Sequence, residues 1–297
     1  VMVRALPSLG QAGLVALQMI TMLALANRVA GGVVGFQIAV NFYFLAVALG
    51  ATPVALSLLP RLARMHRDGD LSGFRDTLAH GYALGLFLAI PTAAAYLVLA
   101  MPIARAVSFG RMASAGGAAL VAGALAGLAL AVVGQTIFMI GSYACYARKD
   151  TRSPLSAMAM QAVVCLALAS TSLATHGTAA LAVIGLAFAV STLVSGVRLS
   201  RRLRRLLGPG RVRLSPALSK AALGSLVMAG PAWLIAVPAR PWLGGTRISL
   251  LVAAVVGAVL FVAVQAAVRS DELRWLAAGL SQLRGRSAAP VIGIDRG

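Results

Sequence analysis

The sequence predicts an all-α, polytopic membrane helix bundle with eight transmembrane helices. Eight apolar blocks each hold roughly 20 or more residues, the number that a helix needs to cross a ~30 Å hydrocarbon core. The mean hydropathy of +0.91 over 297 residues agrees with membrane burial of most of the chain. Charged residues collect in alternate connections between the blocks, which predicts a fixed orientation in the membrane.

The first block could be mistaken for a signal peptide, because Arg4 precedes it and Ala24 to Ala26 resemble a cleavage site. It is longer than the usual apolar region of a signal peptide and further spans follow, so we interpret it as a membrane span. Short connections predict antiparallel neighbours. The eight predicted spans cover residues 5–26, 33–59, 78–107, 118–144, 155–173, 179–197, 217–237 and 248–268.

The connection before the third span predicts a helix that lies along the cytoplasmic interface. Leu71, Phe74 and Leu78 share one helical face there, and Asp70 is well placed to cap the helix start. Within the third span, Pro91 and Pro102 each remove a backbone donor and predict bends.

Two pairs of glycines are spaced four residues apart within predicted spans. Gly81 and Gly85 share a helix face in the third span, as do Gly123 and Gly127 in the fourth. Small residues at this spacing let another helix approach closely. We interpret both pairs as packing sites rather than as parts of a transport mechanism.

The basic residues predict that both termini are cytoplasmic. Twenty-one of the 26 Lys and Arg residues fall on the side that carries the termini, and Lys and Arg in short loops stay cytoplasmic. An even number of spans requires the same arrangement. The five basic residues of the opposite side are Arg28, Arg105, Arg111, Arg240 and Arg247.

The spans divide into a six-helix bundle over residues 1–200 and a terminal helix pair over 217–268. A basic cytoplasmic linker over 201–216 separates them, and a cytoplasmic tail covers 269–297. The arginines of the linker are predicted to contact anionic lipid headgroups. Although the net charge is +19, no nucleic-acid partner is expected, because the basic residues follow the membrane topology.

No motif in the sequence argues for an enzyme. All seven carboxylates lie in segments predicted to be cytoplasmic, so none can act as a proton relay or ion ligand inside the membrane. The three His residues are scattered, and no metal-ligand spacing or nucleotide-binding motif occurs. We therefore expect no enzyme, no catalytic residue, no metal and no cofactor.

Uncharged polar side chains remain inside the spans. Gln11 and Gln18 share a face of the first span, and Gln37 and Asn41 share a face of the second. Because a polar side chain in lipid is costly, these faces should point into the bundle or into a wet cavity. Two interpretations stay open: hydrogen bonding between helices, or a hydrophilic transport path. The remaining intramembrane amides are Gln135, Gln161 and Gln265.

Three ordered motifs resemble the carboxy-terminal part of the MurJ (MviN) lipid II flippases, which belong to the multidrug/oligosaccharidyl-lipid/polysaccharide exporter superfamily. The most specific is CYARKDTRSP at residues 145–154, similar to the family's YAxxDTxTP loop. LLPRLAR at 58–64 is similar to LLPxLSR, and SFGRM at 108–112 to FxxGxF. The residues that carry the loop motif are Tyr146, Arg148, Asp150, Thr151 and Pro154.

The resemblance implies two six-helix lobes and a terminal helix pair that forms a lipid-tail groove. This chain would supply the second lobe and the pair, with a missing amino-terminal lobe as its partner. The chain departs from the family where Asn41 falls at the place of an arginine thought to hold the pyrophosphate of the lipid-linked sugar. Asparagine can donate hydrogen bonds there but offers no charge.

The expected function is alternating-access flipping of an undecaprenyl-pyrophosphate-linked peptidoglycan precursor, lipid II, across the bacterial cytoplasmic membrane. Gln18, Gln37 and Asn41 would line the path, and Arg4 would attract the diphosphate. One alternative is export of another polyprenyl-linked saccharide or an amphipathic drug. Another is a non-transporting membrane scaffold that recruits cell-wall enzymes.

Overall fold

The computed structural model describes residues 2–208, 214–237 and 245–268, together with 270 and 273; the side chains of 2–8 and 214–216 are outside this description. This part of the chain is helical and contains no strand. Its ten α-helices are α1 (Met2–Ala26), α2 (Gly32–Leu49), α3 (Ala51–Arg67), α4 (Leu71–Val98), α5 (Ala100–Val107), α6 (Ala115–Ala147), α7 (Arg152–Ala169), α8 (Gly177–Leu207), α9 (Leu214–Ala236) and α10 (Thr246–Ala267).

The prediction of eight spans is confirmed, since eight segments of the described chain are long and apolar enough to cross a membrane. Two predicted spans are each built from two consecutive helices. The second breaks at Gly50, which separates α2 from α3, and the third breaks at Leu99, between α4 and α5. Pro91 lies inside α4 and Pro102 near the start of α5, where a missing N–H costs little.

The predicted interfacial helix before the third span is wrong. Leu71, Phe74 and Leu78 belong to the first turns of α4, which continues without interruption to Val98. Phe74 and Leu78 are buried in a core cluster with residues of α3, α6 and α8, whereas Leu71 is exposed. Protein packing, rather than lipid headgroups, therefore covers these two side chains.

Asp70 caps α4 as predicted. Its carboxylate accepts hydrogen bonds from the Gly73 amide at 2.8 Å and from the Ser72 hydroxyl at 2.9 Å. These bonds, the Gly73 amide first, hold the pKa of Asp70 below its usual range. The cap fixes the residue at which the chain turns back into the bundle.

Helices α6 and α8 pack closely against each other, and glycines line their contact. An added Cβ at Gly134 would lie 2.6 Å from the Leu193 amide nitrogen, and one at Gly196 would lie 2.9 Å from the Gly134 oxygen. Gly123 and Gly127 face Thr178 and the backbone around Gly185 in the same contact, which confirms their predicted packing role. Below, this contact is called the α6–α8 seam.

The other glycine pair also serves packing. An added Cβ at Gly81 would collide with the Leu58 side chain of α3, and one at Gly85 would lie 2.6 Å from Ile140 Cδ1 of α6. Both glycines are buried, so α4 approaches its two neighbours closely.

The terminal pair α9–α10 packs against α4. The Phe87 and Phe261 rings lie 5.2 Å apart, and Gln265 Nε2 donates to the Lys220 oxygen at 2.8 Å. Residues 201–207 of the predicted linker continue α8, while 209–213 and most of the predicted tail lie outside the described residues. The proposed division into domains stays a prediction.

Candidate functional site

A small cavity of about 80 Å³ lies in the middle of the bundle, between α1, α2, α6, α7 and α8. Three amide side chains, from Gln18, Gln135 and Gln161, line this cavity, which is called the glutamine cavity below. The remaining lining residues are apolar or aromatic: Val15, Met19, Met22, Val40, Tyr43, Phe44, Leu128, Met158 and Phe188. At ~30 Å³ for each water molecule in the liquid, the volume corresponds to two or three waters.

The three glutamines differ in how their hydrogen-bonding groups are satisfied. Gln161 is buried, and its Oε1 accepts from the Ser195 hydroxyl of α8 at 2.8 Å. Gln18 is only 2% exposed, and its Nε2 has no hydrogen-bond partner among the described residues. A buried donor without a partner is unfavourable unless water or a ligand satisfies it. The cavity therefore offers neutral donors and acceptors, with no charge among its lining residues.

Gln37 and Asn41 lie outside this cavity. Both are exposed, one turn apart on α2, while Phe36, Val40 and Tyr43 of the same helix are buried. The structure thus brings Gln18 together with Gln135 and Gln161, and it places Gln37 and Asn41 on an adjoining surface of the lobe. Two amides on an exposed face of a membrane helix are unfavourable in lipid. Their predicted place in a hydrophilic path stays a prediction.

The fourth predicted binding residue, Arg4, belongs to the beginning of α1, but its side chain lies outside the described residues.

Gln11, the partner of Gln18 in the sequence pattern, has a different environment from Gln18. Its Oε1 accepts from the Tyr146 hydroxyl at 2.8 Å. One amide of the pair therefore joins α1 to α6, and the other faces the cavity.

The motif loop at residues 145–154 is built around Asp150. Its carboxylate accepts from the Arg152 amide at 3.2 Å and the Ser153 amide at 3.0 Å, and also from the Ser153 hydroxyl. These contacts satisfy the free amides at the start of α7. Lys149, the residue before Asp150, has a φ of 59°, and this left-handed conformation turns the chain sharply between α6 and α7.

The surroundings of Asp150 favour its charged form. Burial raises the pKa of this carboxyl group, but hydrogen bonds from Ser153 and the nearby Arg202 outweigh burial and leave the pKa below its usual range. Pro154 occupies the first turn of α7, where its missing N–H leaves no bond broken. Tyr146, Asp150 and Pro154 thus act in helix packing and capping; Arg148 and Thr151 lie in the same turn.

A family model described as the lipid II flippase MurJ matches residues 1–267. The chain belongs to the MurJ family. Its resemblance to that family, first seen in the three motifs, is thereby confirmed.

Two similar members of the MurJ family are named as probable lipid II flippases. The one from Rhizobium meliloti (strain 1021) is 33% identical over 185 residues, which are 60% of this chain and 34% of that protein. One from Rhizobium tropici is 27% identical over 164 residues, 55% of this chain and 31% of that protein. The chain matches about a third of the length of these curated MurJ relatives.

The fold is also that of a solved MurJ structure. A lipid II flippase MurJ in an inward closed conformation aligns with a TM-score of 0.67 and 17% identity, covering 80% of this chain and 47% of that one. The predicted fold class, a polytopic helical membrane bundle of MurJ type, is confirmed. As a MurJ-family protein, the chain is a multi-pass membrane protein.

Sequence reasoning missed the grouping of Gln135 and Gln161 with Gln18, and the hydrogen bond from Ser195 to Gln161. The first two were visible as amides inside apolar spans, but nothing in their spacing showed that helices from distant parts of the chain would bring them together. Ser195 gave no signal, because serine is common in membrane helices that pack closely.

Proposed function

We propose that the chain is the second transport lobe of a flippase that moves lipid II, an undecaprenyl-pyrophosphate-linked peptidoglycan precursor, across the bacterial inner membrane by alternating access. The family match over residues 1–267 carries this proposal. The other half of the path would come from an amino-terminal lobe, and both termini would be cytoplasmic. The role is transport without chemical catalysis.

The amides of the lobe supply the polar groups of the proposed path. Gln37 and Asn41 are exposed on α2 and would face the second half of the path, where water and the sugar head group can satisfy them. Gln18 lies behind them in the glutamine cavity, whose lining includes Val40 and Phe44 from the same helix. Arg4 would attract the diphosphate from the cytoplasmic side, while the α9–α10 pair would guide the lipid tail.

Asn41→Leu in the full-length protein tests the path. We expect this variant to reach the membrane at the wild-type level and to fail to rescue a flippase-depleted strain, because leucine removes the hydrogen-bonding amide. Val34→Leu is the matched control, since Val34 is exposed on the same side of α2 and is already apolar. Rescue by Asn41→Leu, or equal failure of both variants, would remove Asn41 from the path.

A second substrate class is supported by the neutral lining of the glutamine cavity. A path with amides and no charge would suit another polyprenyl-linked saccharide or an amphipathic drug. Vesicles loaded with lipid II, with a neutral polyprenyl-linked sugar or with a dye distinguish these substrates. Transport of the neutral sugar but not of lipid II would favour this alternative.

A scaffold role is supported by the exposed basic end of α8, where Arg201, Arg202, Arg204 and Arg205 are all exposed. A scaffold should fail when these four arginines are changed to glutamine and should tolerate Asn41→Leu. A flippase should show the reverse pattern of growth rescue.

A further inference from the structure

A second, larger cavity of about 260 Å³ opens at the end of the lobe opposite the motif loop. It lies between the α1–α2 connection and the start of α8. Its polar lining comes from Arg28, Ser172, Thr175 and His176, and its apolar lining from Leu25, Val29, Ala30, Leu173 and Ala180. Below, this cavity is called the Arg28 pocket.

The Arg28 pocket is electropositive. Arg28 forms no ion pair or side-chain hydrogen bond within the described part of the chain, and the lining contains no carboxylate. Among the described residues, the four carboxylates belong to Asp68, Asp70, Asp76 and Asp150, in connections or helix starts at the other end of the spans. No described side chain therefore neutralises the positive charge of Arg28.

The start of α8 adds further donors to the pocket. His176 occupies the N-cap position with φ −131° and ψ 158°, but no side chain caps the helix. The first amides of a helix lack intrahelical partners, and α8 is 31 residues long, so its amino-terminal end carries partial positive charge. His176 supplies a ring N–H in either protonation state.

Ser172 points independently to a ligand in the same pocket. It is 6% exposed and lines the cavity, yet its hydroxyl makes no hydrogen bond with any other described residue. The backbone oxygen of Ser172 accepts from the Thr175 hydroxyl at 3.1 Å, which orients this turn against the pocket. This hydroxyl lines the cavity and can donate a hydrogen bond to a group bound there.

We propose that the Arg28 pocket binds a phosphate group. The guanidinium of Arg28 can pair with two phosphate oxygens, and the uncapped amides of α8 suit a third. The volume lies below the ~300–1,000 Å³ typical of sites that enclose a whole drug-sized ligand. A phosphate group fits within this volume. The phosphate would come from a lipid headgroup or from a soluble phosphate or diphosphate.

Two binding measurements on the full-length protein distinguish these sources. In neutral phosphatidylcholine nanodiscs, calorimetric titration with inorganic pyrophosphate measures binding of a soluble anion. In mixed micelles of phosphatidylcholine and phosphatidylglycerol, native mass spectrometry counts bound anionic lipid. We expect Arg28→Gln to weaken binding about tenfold in at least one measurement. Arg105→Gln, an exposed arginine of α5 outside the pocket, should bind as the wild type does.

His176→Asp provides a variant whose folding is protected. Aspartate is a preferred N-cap, so the unfolding temperature should stay equal to that of the wild type or rise, while its negative charge repels phosphate and abolishes binding. If the two variants lose binding in the pyrophosphate titration, the ligand of the pocket is a soluble phosphate. If they lose bound phosphatidylglycerol, the ligand is a lipid headgroup. No binding in either measurement, or equal binding by the wild type, Arg28→Gln and His176→Asp, would overturn the proposal. Because neither measurement requires transport, failure here leaves the flippase proposal untouched.

Discussion

Gly134→Ala is the sharpest perturbation of the α6–α8 seam. A Cβ at position 134 would lie 2.6 Å from the Leu193 amide nitrogen and 2.6 Å from Thr192 Oγ1. The amide nitrogen cannot rotate away, and Thr192 Oγ1 is already held by a hydrogen bond to the Ala189 oxygen at 2.8 Å. Ordinary contact begins near 3.4 Å, so the two helices must separate locally by about 0.8 Å.

The expected cost follows from that separation. A gap of 0.5–1 Å removes about a quarter to a half of the dispersion energy of each contact that it opens. Overpacking of this kind lowers the free energy of unfolding by about 1–3 kcal/mol. Alanine has the higher helix propensity, however, and this difference stabilises the helix by about 1 kcal/mol relative to glycine. We therefore expect Gly134→Ala to lower the free energy of unfolding by up to about 2 kcal/mol.

Gly116→Ala is the matched control in the same helix, because a Cβ there would meet no atom within 4 Å. It should leave stability unchanged or raise it slightly. Steric-trap unfolding of the full-length protein in bicelles measures both free energies. Equal stability of the two variants would refute the reasoning that α6 and α8 touch through their backbones.

Three further changes test other parts of the lobe. Tyr146→Phe should cost about 0.5–1.5 kcal/mol of unfolding free energy by removing the hydrogen bond to Gln11, measured in the same assay, and an unchanged value would contradict that bond. The folded pKa of Asp150 is lowered, so its stabilisation is complete above the unfolded pKa of about 3.9 and is lost as pH falls through the folded value. Asp150→Asn should therefore flatten the acid side of a plot of unfolding temperature against pH. An unaltered plot would show that this carboxylate does not contribute to the pH dependence of stability. Gln18→Leu should leave stability unchanged or raise it, because Gln18 Nε2 has no described partner; a clear loss in thermal unfolding would show that the amide is satisfied after all.

The sequence predicted the features that depend on local chemistry. Eight apolar blocks became eight spans, and Asp70 became the cap of α4, since hydropathy and capping both depend on neighbouring residues. The breaks at Gly50 and Leu99 were not predicted, because an apolar run looks the same whether one helix or two pass through it. The prediction of an interfacial helix was wrong for a related reason. An amphipathic pattern is the same whether the apolar face of the helix contacts lipid headgroups or another helix.

The sequence could not predict which site residues lie close together, and the reason is a different one. Gln18, Gln135 and Gln161 come from three helices, and only tertiary packing decides which faces of those helices meet. Gln37 and Asn41 lie one turn apart on α2, as their spacing predicted, and both are exposed; their place in a transport path stays a prediction. The motif loop was recognised as a sequence pattern, and its physical content, a capped helix start held by Asp150, became visible only with the backbone.

The absence of charge in the middle of the spans has an electrical consequence. The glutamine cavity is lined by neutral groups, and the Asp, Glu, Lys and Arg residues of the sequence collect near the ends of its apolar segments. An elementary charge that crosses a potential of about 100 mV changes its free energy by about 2.3 kcal/mol. A lobe of this kind moves almost no gating charge when it tilts or rocks. In a flippase built from it, the membrane voltage would act on the anionic cargo rather than on the protein.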